Sequence, residues 1–273
     1  MNSLIDIPII FDDNPISRAY IQLYLSNNLT NKKIIYLSEK SLLPNKIISY
    51  FKFHRNNYYA LLFLKEKEIN YFLDQVQEFF NLEKNFIRDM YKFNNIHKFN
   101  KIIYIKNKSI NSKELLKLLN TDEEKYYLNT GKQILKEVLS SEKKFIHIHP
   151  GFLPEVRGAD GSLHSVDKFN YLGTSSFIIN KEIDKGPIIY RHKKEYKKFK
   201  VKNFDKYNLK DLYRLWFSFV DPLLRASHLK FIIKNKIVYN GKYNEIDTQN
   251  EKENYFSFMS PVELNRTFKK IFY

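Results

Sequence analysis

His147 and His149 stand two residues apart at the end of an apolar run, in the stretch FIHIHPGFLPEVRGADG that spans 145–161. Residues i and i+2 of a strand share a face, so both imidazoles can enter one cleft. Pro150 stops the run and Gly151 permits the turn that follows. A second stretch, GTSSFIINKEIDKGPIIYR at 173–191, holds Asp184 in a turn before Lys185 and Gly186. A carboxylate near a histidine tunes proton transfer, so the two stretches together describe an acid–base site. The His-x-His spacing also suits zinc, with Asp160, His164 or Asp167 to complete a ligand set. The chain has no cysteine, which excludes thiolate catalysis, disulfides and cysteine-ligated metals.

These residues need a frame. Ile7–Phe11, Lys33–Leu37, Tyr58–Leu64, Lys101–Ile105, Tyr126–Leu128 and Phe145–Ile148 read as strands by their short apolar, β-branched runs. Helices are expected at about Ser17–Asn27, at Ser112–Leu119 and at Lys132–Leu139 after a turn at Gly131, with one long helix or two between Glu66 and Tyr91. In that last region Phe72, Val76, Phe79 and Phe80 fall on one face, which is a core pattern. After a loop at Phe152–Ser162, strands are expected at Gly173–Asn180 and Pro187–Arg191. A long helix at Leu209–Lys230 follows, kinked or broken at Pro222. Lys236–Asn240 reads as a strand and Gln249–Asn254 as a polar loop. Ser260–Ile271 reads as a basic terminal helix, with a capping serine, a first-turn proline and Glu263 three after the cap.

Strands alternating with helices predict an α/β architecture, a Rossmann-like, doubly wound and mostly parallel sheet. Ligands of such sheets bind beyond the carboxyl ends of the strands, which places the site at His149. The expected organisation is one α/β domain over 1–235 and a short C-terminal extension over 236–273. Leu264, Phe268 and Ile271 give the terminal helix an apolar face, for a homodimer, for another partner or for the domain itself.

The 273 residues include 43% hydrophobic and 16% aromatic side chains, enough for a core and too many for disorder. Lys and Arg number 46 against 30 acids, a net charge of +16. That excess reflects either a lysine-rich background or attraction to anions such as nucleotides, tRNA or phosphosugars. The run His192–Lys202 reads as a solvated face or a guide for an anionic substrate. Met1 to Ile10 has no basic start with an apolar stretch behind it, and the longest apolar run is far shorter than a membrane span. No signal peptide or membrane insertion is expected, and the location expected is the cytoplasm.

The first stretch resembles the signature of the folate-dependent formyltransferases, Asn-x-His-Pro, then Ser or Gly, a Leu-Pro pair and an Arg-Gly. Here it reads His147-Ile148-His149-Pro150-Gly151, Leu153-Pro154 and Arg157-Gly158-Ala159. The second signature, an aspartate before a glycine and a strand, resembles Ile183-Asp184-Lys185-Gly186-Pro187, 35 residues beyond His149. A weaker match is Gly131-Lys132-Gln133-Ile134-Leu135, which is similar to a loop that helps hold the pterin. The signature-bearing part is 126–191.

The resemblance implies the formyltransferase fold and transfer of a formyl group from 10-formyltetrahydrofolate to an amine. It implies that His149 faces the formyl oxygen and that Asp184 orders a water and tunes the histidine. Gly131, Gln133, Leu135 and Ile183 would line the folate site, with Arg157 and Gly151 at the acceptor. It calls for no metal. The family's asparagine position is His147 here, a donor whose tautomer and charge depend on its surroundings. His147 either replaces the amide, with a stronger pH dependence, or gives structural support in a relative whose reaction has changed.

Among family acceptors, methionyl-tRNA goes with a sizeable C-terminal domain, whereas about 43 residues follow Lys230. Glycinamide ribonucleotide goes with a glycine-rich turn after the first strand, whereas Phe11-Asp12-Asp13-Asn14-Pro15 is acidic. Elimination leaves an anionic small-molecule amine, an amino-sugar nucleotide. The alternatives are an enzyme acting on methionyl-tRNA, a formyltetrahydrofolate hydrolase, an inactive polyanion-binding relative and a metal-dependent hydrolase.

Overall fold

A computed structural model describes residues 7–237 and 243–273. The strands are β1 (Ile9–Phe11), β2 (Lys33–Leu37), β3 (Lys101–Ile105), β4 (Tyr126–Asn129), β5 (Lys144–His149), β6 (Arg157–Gly158), β7 (Tyr171–Ile178), β8 (Ile188–Glu195) and β9 (Tyr255–Phe256). The first helices are α1 (Pro15–Ser26), α2 (Asn45–Asn56), α3 (Tyr58–Phe63), α4 (Asn70–Phe79), α5 (Phe86–Met90) and α6 (Lys113–Thr121). The remainder are α7 (Gly161–Phe169), α8 (Leu209–Leu215), α9 (Asp221–Lys234) and α10 (Pro261–Ile271). Among the described residues no helix is long and apolar enough to cross a membrane.

Seven strands form one sheet in the order β3-β2-β1-β4-β5-β7-β8. The five from β3 to β5 pair in parallel, and β7 and β8 add antiparallel. The continuous apolar runs of β1, β2, β4 and β5 follow from burial on both faces. Ile9, Phe11, Ile34, Tyr36, Leu128, Ile146 and Ile148 pack into one core with α1 and α9. Their neighbours Ile10, Ile35, Leu37, Tyr127 and Phe145 pack into the other with α6. The expected α/β, mostly parallel sheet is what forms.

Local chemistry explains where the elements start. Asn14 caps α1, its side chain accepting from the N–H groups of Ile16 and Ser17 while Ser17 Oγ accepts from Asn14. The acidic turn before it is neutralised inside the fold: Asp13 takes a fork of bonds from Arg18 at 2.6–2.7 Å, and Asp12 lies 2.8 Å from Lys52 Nζ. Ser260 caps α10 in a capping box with Glu263, as its sequence predicts.

Several expectations need correction. Tyr58–Leu64 is the helix α3, not a strand: Ala60 and Phe63 are buried while Tyr58, Tyr59 and Leu62 face out. A short apolar run carries no period that separates the two states. Lys132–Leu139 is a loop ending in a 3₁₀ turn at Glu137–Ser141, not a helix. Side chains clamp it there, with Gln133 bonded to Lys108 O and Ile110 N, and Asn111 to Ile134 O and Lys136 N. The region Glu66–Tyr91 takes the second of its two expected forms, the helices α4 and α5, parted at Asn81 and Asn85, both at positive φ. The expected loop at Phe152–Ser162 contains β6 and the start of α7. Of the expected strand Lys236–Asn240, residues 238–240 lie outside the described residues.

Pro222 acts through a π turn at Trp216–Val220 that joins α8 to α9. Proline lacks the N–H that an α-helix would offer the carbonyl of Ser218. Tyr91 Oη supplies that bond instead, at 2.6 Å. Tyr91→Phe is therefore expected to cost about 1–3 kcal/mol, the penalty of an unpaired buried carbonyl, readable as a lowered urea midpoint at unchanged slope.

Residues 243–273 pack back onto the rest of the chain. Met259, Phe268, Ile271 and Phe272 belong to the larger core, and Phe272 bridges to Phe199. Arg266 and Lys270 reach Asp167 of α7, and the Arg266 bond holds the Asp167 carboxyl down to about 2.

Candidate active site

A cavity of about 400 Å³ opens at the carboxyl end of β5. His147 and His149 both line it, as a shared strand face requires. Gln133, Ile134 and Leu135 come from the loop after β4, Ile183 and Asp184 from the turn after β7. Tyr213, Phe217, Asp221 and Arg225 form a further wall. They recur every four residues, a row that drifts by about 40° per step in a regular helix. The wider π turn between Phe217 and Asp221 takes back part of that drift.

His149 is buried, with Nε2 3.0 Å from the carbonyl of Val156. A carbonyl only accepts, so Nε2 carries the proton and donates. Nδ1 is then left with a lone pair, 3.7 Å from Asp184 Oδ2. Burial pushes the pKa of His149 down, with Arg225 acting the same way and Asp184 against them. The imidazole is thus neutral at pH 7, with its basic nitrogen toward the carboxylate. Gly151 lies behind it and does not line the cavity; a Cβ there would stand 2.7 Å from His149 Nε2.

Asp184 adopts a left-handed backbone, φ +54°, and its Oδ2 accepts from Gly158 N–H at 2.9 Å. Gly158 sits at φ +92°, and a Cβ on it would come within 2.1 Å of Phe256 O. Only glycine fits between β9 and the carboxylate. The extension therefore fixes the donor that holds Asp184, through the parallel β6–β9 pair and the Ala159 N–H bond to Phe256 O.

His147 is also pushed down, to about 3, first by burial and then by the Arg225 guanidinium. Arg225 Nη1 lies 3.5 Å from His147 Nε2 and donates to the Ile148 carbonyl, while Nε donates to Asp221 at 2.8 Å. Asp221 is completed by Ser162 Oγ at 3.1 Å, which itself accepts from Trp216 Nε1. With a donor at Nε2, the His147 proton resides on Nδ1. That buried Nδ1 has no hydrogen-bond partner among the described residues.

Other residues singled out in the sequence have partners of their own, although Gln133, Leu135 and Asp160 also line the cavity. Arg157 makes two bonds to Glu253 and is not among the cavity-lining residues. Gln133 lines the cavity but spends its amide on the neighbouring loop. Leu135 is buried in the second core. His164 stacks on Phe256 and bonds Ser257 O, Asp160 bonds Tyr213 and Met259, and Asp167 bonds Arg266. Among the described residues no group of three or more His, Asp or Glu side chains is placed to hold a metal ion. Sequence reasoning missed Asp221 and Arg225, whose signal was an acid and a base four apart beside Pro222.

No family model matches the sequence, and no curated protein matches it. Solved structures do. A 4-N formyltransferase from Francisella tularensis superposes with a TM-score of 0.51 at 17% identity, over 96% of this chain and 85% of that one. A sugar N-formyltransferase from a Shewanella species gives 0.46 at 17% identity, over 92% and 76%. Phosphoribosylglycinamide formyltransferase from Bacillus halodurans gives 0.44 at 14%, over 86% and 99%. The first of these likenesses establishes that the chain has the fold of a formyltransferase.

Proposed function

We propose that the chain is an N-formyltransferase that moves a formyl group from 10-formyltetrahydrofolate to the amine of an anionic acceptor, an amino-sugar nucleotide. The observation that carries this reading is the convergence of His147, His149 and Asp184 on one cavity beneath the loop 131–135, in a chain of this fold. The cavity suits a flat ligand with polar edges, for Ile134 and Ile183 are apolar yet about half exposed, at 58% and 49%. The bound co-substrate would supply an activated formyl carbon. Lys132 and Lys181 line the cavity, without an ion-pair partner among the described residues, and suit an acceptor's phosphates. The Francisella protein of this fold is a 4-N formyltransferase, so transfer to a nitrogen is chemistry that the fold performs.

The residues divide the work. The neutral imidazole of His147 donates to the formyl oxygen, the task that a neutral amide performs elsewhere in the family. His149 Nδ1 takes the proton that the amine loses as the new C–N bond forms, and returns it to the folate nitrogen as the old C–N bond breaks. Asp184 steadies the imidazolium so formed and keeps a water within reach of it. Burial and then Arg225 keep His147 neutral, and Arg225 selects its tautomer.

The pH dependence has a definite sign. Both histidines have folded pKa values below the ordinary 6.5, so both stay neutral as pH falls from 8 to that value. A rate that needs neutral His149 is expected to be flat over that range and to fall only through the depressed pKa. Asp184 raises the His149 pKa, so Asp184→Asn moves the acid limb to still lower pH as well as lowering the plateau. Profiles of kcat/KM against pH for both proteins check this; a limb at or above 6.5 contradicts it.

The functional test follows tetrahydrofolate release with 10-formyltetrahydrofolate and a panel of amino-sugar nucleotides, small amines and methionyl-tRNA. Release that depends on one acceptor class supports transfer and names that class. Release without acceptor makes the chain a formyl hydrolase, and no release with any acceptor removes the proposal.

A further inference from the structure

A second cavity, also of about 400 Å³, lies between β7, β8 and α9. Leu224, Ser227, His228 and Phe231 face it, about a quarter turn round α9 from Asp221 and Arg225 of the first cavity. Its wall carries His192, Lys194, Lys230 and Lys234 and no acidic residue. Lys230 Nζ donates to Asn81 O at 2.7 Å, and Lys194 Nζ lies over the Phe79 ring. None of the three ammonium groups has an ion-pair partner among the described residues. Cations gathered without counter-charge repel one another, which an anion between them relieves.

Two further observations point to the ligand. His228 is 4% exposed, with Nδ1 2.8 Å from Thr174 Oγ1 and Nε2 buried without a partner among the described residues. A buried polar atom left unpaired calls for a partner that a ligand can supply. The rings of Tyr190 and Phe231 stack at 4.8 Å and 14°, and Phe231 is 44% exposed, so its outer face is open to another ring. Three ammonium groups suit two or three negative charges, more than a simple aromatic carboxylate brings. The volume is within the range of small-molecule sites.

We propose that this cavity is a second ligand site, for a nucleotide whose phosphates lie among Lys194, Lys230 and Lys234 and whose base stacks on Phe231. The site is independent of formyl transfer, and none of its residues belongs to the first cavity.

Titration of UDP and of ADP into the full chain, followed by calorimetry, tests the assignment. The expected result is one binding class that weakens about tenfold or more in Phe231→Ala/Lys194→Glu, through lost stacking and charge. Lys198→Glu, an exposed lysine outside the cavity, leaves it unchanged. A nucleotide class from the first cavity, if present, survives the double variant and raises the wild-type stoichiometry to two. Inorganic pyrophosphate is expected to bind more weakly than UDP. Binding of neither nucleotide, equal affinity for pyrophosphate and UDP, or unchanged affinity in the double variant overturns the proposal. Lys234→Glu, at the solvent edge, repeats the test should the double variant lose its fold. Failure of formyl transfer would leave this result standing, because the site lost in the variant is not the catalytic one.

Discussion

His149→Ala is expected to lower kcat by about 10²–10⁴-fold with KM for both substrates within a few fold. The neutral imidazole keeps its lone pair on Nδ1, facing Asp184 at the cavity, because the Val156 carbonyl has claimed its Nε2 proton. Loss of that group removes a transition-state proton acceptor and little ground-state contact, so the effect belongs in kcat. Val156 O becomes reachable by water through the vacated space, which keeps the thermal midpoint near wild type. Steady-state kinetics with a melting curve on the same preparation check both halves. A large rise in KM at unchanged kcat would reassign His149 to binding.

Arg225→Leu is expected to lower activity by about 10²-fold or more and stability by about 3–5 kcal/mol. The stability loss comes from Asp221, which is 0% exposed and would be left as an unpaired buried charge. Asp221→Leu/Arg225→Leu removes the charge with its partner, and much of the stability is expected to return. Activity is not expected to return with it. Without the guanidinium, His147 regains a higher pKa and loses the donor that selects its Nδ1–H tautomer. Chemical denaturation of the single and double variants, beside their kcat values, separates the two roles. Recovery of activity in the double variant would make the pair a fold element alone.

Much of the frame was written in local pattern. β1, β2, β4 and β5 are short runs rich in Ile, Tyr, Phe and Leu buried on both faces, the edge strand β3 is a half-buried run of the same kind, and such runs are visible without any partner. The capping box at Ser260 and the break at Pro222 were equally local. Tyr58–Leu64 was not, because seven apolar residues fit a helix face as well as a strand and only packing chooses. Lys132–Leu139 has helical residues, yet its own Gln133 side chain and that of Asn111 tie it to the loop at 108–111, contacts separated by more than twenty positions. The site shows the same division. His147, His149 and Asp184 announce themselves by type and spacing, whereas Arg225 acts through a π turn and a contact 78 residues away. The hold of the extension on Asp184, through Gly158 and β9, depends on a pairing that no pattern in 251–258 signals.

The most direct test of formyl transfer in this cavity is a single turnover with 10-formyltetrahydrofolate labelled in the formyl carbon, in the presence of the acceptor that the panel selects. Transfer predicts that the label appears on the acceptor nitrogen in step with tetrahydrofolate release, and that His149→Ala slows both alike. Label recovered as free formate, or release that His149→Ala leaves untouched, would contradict it.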